Sequence, residues 1–173
     1  MPYFRADGHM LYYKDFTSCE GNHSGLTFLC IPGLGESHNS FLPVVRNVGD
    51  EHRFILFDNC GSGQSRYSGE EVVVEMIAAG AIGILDTLQV TEKVVVIGHG
   101  MGALVASSLA ASVPARFLAL VAIGPVQPTL ANTERLEKWI QMVHTGKSPK
   151  SMWPEKEARY QAHTLTREQT KTA

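Results

Sequence analysis

Several protein classes are excluded by what this 173-residue chain has little of. Cysteine is scarce: Cys19, Cys30 and Cys60 are odd in number and show no C-x-x-C spacing. That excludes a disulfide framework and a zinc site, and predicts free thiols in a reducing compartment. Charge is sparse and nearly balanced, with 18% Asp, Glu, Lys and Arg and a net charge of −2. The basic residues are scattered, so no broad field favours nucleic acid or an anionic membrane. No apolar run approaches the roughly 20 residues that a membrane helix needs. The opening MPYFRADGHM has no apolar stretch behind a basic end, so no secretory signal is expected. A cytoplasmic chain follows as the expectation, with no metal, no cofactor and no internal repeat.

What is present is a large apolar fraction, 44%, enough for one domain with a sizeable core. Short apolar runs alternate with longer helical patterns. MLYYKDF (10–16) reads as an early strand, followed by LTFLCI (26–31), RFILF (53–57), KVVVI (93–97) and LALVAI (118–123). Continuous aliphatic and β-branched runs of this length suit strands covered on both faces. NSFLPVVRNV (39–48) reads as a short helix that tolerates Pro43 in its first turn and stops at Gly49. Residues 70–88 place Val74, Ile77, Ala78, Ala81, Leu85 and Leu88 on one helical face. Gly80 and Gly83 within that helix each cost about 1 kcal/mol against alanine, so tertiary packing must hold it. After Gly100 another helix carries Gly102, Ala103, Ala106, Ser107 and Ala110, small enough to lie close to a sheet, and Pro114 ends it. The β–α–β order predicts an α/β fold, a mainly parallel sheet with helices on both faces.

Loops at the carboxyl ends of parallel strands are where such sheets place their sites. Three of these loops are glycine-rich: IPGLGESH (31–38), DNCGSGQS (58–65) and GHGMGA (98–103). Their glycines permit tight turns and close approach of backbone to a ligand. Together, and in this order, they resemble the amino-terminal part of an α/β-hydrolase, in the branch of proline iminopeptidases, haloperoxidase-like esterases and 3-oxoadipate enol-lactonases. The resemblance runs from about residue 3 to residue 128. IPGLG is similar to the family's H-G-x-x-G-type loop, with Pro32 in place of histidine. DNCGSGQS is similar to D-x-R-G-x-G-x-S, with Cys60 in the arginine position. GHGMG stands where the family has G-x-S-x-G.

The resemblance implies a nucleophile elbow, a strained strand-to-helix turn that lifts a serine into the cleft. Here that position is Gly100, which has no side chain. The flanking glycines, Gly98 and Gly102, are retained, and the backbone N–H groups of Leu34 and Met101 are implied to form the oxyanion hole. The family's later acid and base are not evident. No aspartate follows Asp86, and Glu155, Glu157 and His163 come after a segment broken by Gly146, Pro149 and Pro154. His163 is the base that the family order allows, although two further strands should precede it. The expected organisation is a core over 1–128, the start of a lid helix over 129–146, and a linker with a disordered tail over 147–173. The implied molecule is a hydrolase-like fold truncated before its last strands.

Four other side chains lie near the predicted cleft: Ser37, His38, Cys60 and His99. His99 is expected to pack on or bond a neighbouring loop, and His38 to serve as a loop or helix N-terminal contact. Cys60 is the one ready nucleophile, but a reactive thiol needs a base or cation beside it. Three functions therefore stand open. One is a pseudoenzyme of ester or lactone hydrolase descent that holds a small ester-like, lactone or carboxylate ligand. A weakly active carboxylic-ester or lactone hydrolase is another. The third is a dinucleotide-binding module, because LTFLCIPGLGESH leads through a helix to Asp58 at the spacing of a ribose-binding acid. The sheet edge left by missing strands predicts homo-oligomer formation.

Overall fold

The structure, a computed structural model, describes residues 2–6, 8–17, 25–66 and 72–125. Six strands form one sheet: β1 (Tyr3–Ala6), β2 (His9–Phe16), β3 (Thr27–Ile31), β4 (Arg53–Phe57), β5 (Val94–His99) and β6 (Phe117–Ile123). Three α-helices join them, α1 (Leu42–Val48), α2 (Val74–Thr87) and α3 (Met101–Ser112), with short 3-10 turns at His38–Phe41 and Pro114–Arg116. The strand order is β1-β2-β4-β3-β5-β6. β3 pairs in parallel with β4 and β5, and β5 with β6, whereas β1 and β2 add an antiparallel hairpin to the edge of β4.

Period-two alternation sends the strand side chains to two cores. On one face Leu29, Ile31, Ile55, Phe57, Val94 and Val96 meet α2 and α3 through Ile77, Ile84, Leu85, Val105 and Leu109. On the other, Cys30, Phe54, Leu56, Val95 and Ile97 meet Phe41, Leu42 and Val45. Each fully buried aliphatic or phenyl side chain contributes about 1.5–3 kcal/mol, so the central strands β3, β4 and β5 hold the sheet. The α/β class with helices on both faces is as expected.

Several details differ from the reading of the sequence. β1 was not foreseen. It is four residues long and lies beside β2 with Phe4 opposite Leu11. These two side chains explain the helix glycines. A methyl group at Gly80 would strike the Leu11 side chain, and one at Gly83 the Phe4 ring. The buried face of α2 is accordingly Ile77, Gly80, Ala81, Ile84 and Leu85, rotated toward the hairpin from the stripe expected. On α3, Ser107 is exposed, and Val105 and Leu109 carry the packing instead. β6 departs most. Only Phe117 is buried, while Leu118, Leu120, Val121 and Ile123 are 40–57% exposed. Among the described residues β6 is bordered by β5 alone, so it is not the strand covered on both faces that its composition suggests. The lid segment 129–146, the tail 147–173, Cys19, Glu155, Glu157 and His163 lie outside the described residues.

Candidate functional site

β3, β4 and β5 end side by side, which gathers the three glycine loops at one end of the sheet. Gly100 joins β5 to α3 with φ 55° and ψ −116°, a combination open to glycine and strained for any L side chain. Its N–H donates to the Ile123 carbonyl at 2.9 Å, which fixes the turn against β6. The flanking positions have no room. A methyl at Gly98 would run into the Gly102 carbonyl and Ala103 Cα, and one at Gly102 into the carbonyls of Ile31 and Pro32. α3 thus lies directly on the end of β3, and its first N–H, on Met101, belongs to the turn that has no intrahelical acceptors.

Leu34 lies in the turn after β3, and Leu34 and Met101 line one cavity of about 150 Å³ together with Asn59, Cys60, Val74 and Ile77. The cavity is predominantly apolar, and Cys60 is among the residues that line it. A wider depression is lined by Asp86, Gln89 and Arg116, but its guanidinium is already engaged by Asp86 at 2.7 Å and the Val90 carbonyl at 3.0 Å. The small cavity is the one that adjoins the elbow.

Asp58, at the end of β4, organises the loops. It is fully buried and accepts from His38 N at 2.6 Å and, through the same oxygen, engages His38 Nδ1 at 2.8 Å, while its other oxygen accepts from Gln64 N at 2.8 Å. Ser65 donates from its hydroxyl to the Asp58 carbonyl at 2.6 Å and accepts from Tyr12 N at 2.8 Å. Asn59 Nδ2 donates to the Pro32 carbonyl at 3.0 Å. The first and last residues of DNCGSGQS therefore bind one another, and the loop is tied to IPGLGESH by side chains rather than by a ladder. His38 is 3% exposed and lies against the Tyr12 ring, so it serves the loop framework and not the cavity. Ser37 accepts weakly from Asn39 N as the cap of the 3-10 turn.

This placement removes the acidic residue from the dinucleotide reading. Asp58 has no surface to offer a ribose, and all its recorded bonds run inside the chain. Cys60 lines the cavity, but burial pushes its thiol pKa up, away from the thiolate. Cys30, inside the core, is shifted further in the same direction by burial. Among the described residues no group of three His, Cys, Asp or Glu side chains could hold a metal, and no helix is long and apolar enough to cross a membrane.

The bond expected from His99 to a neighbouring loop is present, but its partner, Glu36, was not foreseen. His99 Nδ1 lies 2.8 Å from Glu36 Oε2, and the same carboxylate oxygen accepts from Gly33 N at 3.1 Å. Glu36 thereby fastens the Leu34 turn to the residue that precedes Gly100. The signal in the sequence was an acid directly after the two glycines of IPGLGESH, opposite a histidine at the end of the adjoining parallel strand.

Known proteins share the fold that carries these loops. Residues 27–162 match the family described as alpha/beta hydrolase fold. The uncharacterized hydrolase YugF of Bacillus subtilis is 33% identical over 119 residues, covering 68% of this chain and 42% of YugF. The RutD protein of Azorhizobium caulinodans, whose name assigns it provisionally to carbamate hydrolysis, is 30% identical over 124 residues, 71% of this chain and 44% of RutD. The enol-lactonase of Burkholderia xenovorans LB400 superposes with a TM-score of 0.63 at 24% identity, over 69% of this chain and 45% of the enzyme. The chain spans less than half the length of the curated relatives it matches here.

Proposed function

This chain belongs to the alpha/beta hydrolase fold family, and on that premise we propose that its cleft binds a small ester-like, lactone or carboxylate ligand without serine-based hydrolysis. One observation carries the proposal: the elbow keeps its strained turn and its two space-limited glycines, yet its centre, Gly100, has no hydroxyl. Serine-based acyl transfer needs an oxygen that attacks and a base that takes its proton. The Leu34 and Met101 amides beside the cavity support a role as donors to a carbonyl or carboxylate oxygen. The names of the RutD relative and the enol-lactonase neighbour support a substrate class among esters, lactones and carbamates, and the cavity of about 150 Å³ is large enough for a short acyl chain or one small ring. The exposed apolar residues of β6 support pairing of that edge with a second copy of the chain, which size-exclusion chromatography would register.

The test pairs a fluorophosphonate probe with titration by butyrate. Intact-mass analysis should find no adduct on the wild-type chain, while butyrate should raise its unfolding temperature. Gly100→Ser should restore little turnover of 4-nitrophenyl esters, because no base among the described residues is placed for it. An adduct on a wild-type serine would overturn the reading. Robust turnover by Gly100→Ser that is lost in the His163→Ala double variant would assign the base to His163.

A further inference from the structure

The fold leaves one buried polar atom unpaired in a residue of the small cavity's wall. Asn59 is 3% exposed and lines that cavity beside Leu34, Val74, Ile77 and Met101. Its Nδ2 donates to the Pro32 carbonyl at 3.0 Å, and its backbone carbonyl accepts from Ser62 N at 2.9 Å. A carbonyl oxygen only accepts, so the Pro32 bond fixes which end of the Asn59 carboxamide is nitrogen. Oδ1 is the other end, and it is buried with no hydrogen-bond partner among the described residues. A buried acceptor left unmade costs stability, so an orphan in a cavity wall rewards a bound group that brings a donor.

The rest of the lining decides what kind of donor that is. Leu34, Val74, Ile77 and Met101 are apolar, and no Asp, Glu, Lys, Arg or His is among the described lining residues. An ammonium would enter without a counter-charge, at a large desolvation cost, which selects a neutral N–H or O–H. A simple ester, a lactone or a carboxylate has no donor and would set its lone pairs against Oδ1. A carboxamide has both halves, an N–H for Oδ1 and a carbonyl for the Leu34 and Met101 amides.

We propose that this cavity is a binding site for a short neutral carboxamide, with Asn59 Oδ1 accepting its N–H. The inference rests on the binding role assigned to the cleft and narrows its ligand. Asn59 becomes the residue that sets specificity: it holds the nitrogen of the ligand, while the aliphatic chain lies against Val74 and Ile77.

The experiment titrates the full wild-type chain with butyramide and with methyl propyl ketone, which replaces the amide nitrogen by a methyl group of nearly the same volume. Binding is followed by NMR on protein isotope-labelled at asparagine. Butyramide should bind about tenfold more tightly than the ketone, the worth of one hydrogen bond to a buried acceptor. The Asn59 Cγ resonance should move with butyramide and stay in place with the ketone, a response that a purely structural carboxamide would not give. Asn59→Leu keeps the side-chain size, removes the acceptor, and should bring the two affinities together. A preference for butyramide that survives Asn59→Leu overturns the proposal, and so does a Cγ resonance that ignores butyramide. Should Asn59→Leu fail to fold, because the Pro32 carbonyl loses its donor, the wild-type affinity ratio and the resonance decide. Equal affinities for amide and ketone in the wild type overturn the carboxamide inference and leave the binding role standing. If butyramide, the ketone and butyrate all fail to bind, the binding role falls with it.

Discussion

Removing the Asp58 carboxylate should unfasten two loops at once. Three donors end on it: the buried His38 N and His38 Nδ1 and the part-buried Gln64 N, at 2.6, 2.8 and 2.8 Å. Asp58→Ala leaves all three without their acceptor. At about 1–3 kcal/mol for each buried stranded donor, the two on His38 sum to about 2–6 kcal/mol, while Gln64 N can turn to water. Removing one member of a buried polar pair has a measured range of about 3–5 kcal/mol, because the remaining partner is left buried without compensation. The ranges overlap at about 3–5 kcal/mol, a large part of the roughly 5–15 kcal/mol that holds an ordinary domain. Urea unfolding followed by far-UV circular dichroism reads the difference. With a slope of about 2 kcal/mol per molar, the midpoint should fall by about 2 M. Asp58→Asn keeps one acceptor oxygen and should fall between wild type and alanine. A loss below about 1 kcal/mol for Asp58→Ala would refute the reasoning, since each donor would then have found water or another acceptor at no cost.

Three further outcomes follow from the same contacts. Gly102→Ala should destabilise by about 3 kcal/mol, since its methyl meets the Ile31 and Pro32 carbonyls and backbone cannot step aside; an unchanged urea midpoint would mean that α3 can lift off β3. Cys60 should alkylate with iodoacetamide more slowly at pH 7 than a free thiol, because burial raises its pKa; rapid labelling would place a cation beside it. For Glu92, burial raises the carboxyl pKa, but the Thr27 hydroxyl at 2.7 Å, backbone amides and Arg53 outweigh it and the net shift is downward. A depressed pKa stabilises the folded chain above the ordinary glutamate value and the gain is lost as pH falls through the folded value. Glu92→Gln should therefore cost under about 1 kcal/mol at pH 7, the group being half exposed, and nothing at a pH below both values.

How much of this was legible in the sequence depended on the range of the interaction. The five apolar runs announced β2 to β6, the central three because burial on both sides of a strand leaves a continuous signature, and the boundaries fell within two residues. β1 left no such mark. YFRA has neither length nor alternation, and its strand character comes from β2, which supplies its partners. The glycines of α2 were legible as a helical weakness but not as a fit, since Leu11 and Phe4 lie some seventy residues earlier. At the site, the elbow was readable because its constraints are local: Gly98, Gly100 and Gly102 lie within five residues. The Asp58–His38 and Glu36–His99 pairs join residues 20 and 63 apart, with no periodicity to connect them. Only the strand order brings them together.

The elbow separates two requirements that a serine at its centre would satisfy together. The turn itself asks for small neighbours and a strained φ,ψ pair, and those demands come from β3 and α3 pressing on Gly98 and Gly102. The chemistry asks for an oxygen on the central residue. At Gly100 the first demand is met with less strain than serine would impose, by about 1–3 kcal/mol for a residue held at φ 55°, while the second is unmet. Stability and serine chemistry therefore pull this position in opposite directions, and glycine resolves the conflict in favour of the fold. Other residues contribute independently of position 100: Leu34 and Met101 line the cavity, Asp58 clasps the loops, and the Glu36–His99 contact fixes the Leu34 turn to the end of β5. Those groups do not depend on a side chain at position 100 for their geometry. On the binding role proposed above, cleft and nucleophile are thus independent parts, and a glycine at the centre of the turn does not dismantle the loops around it.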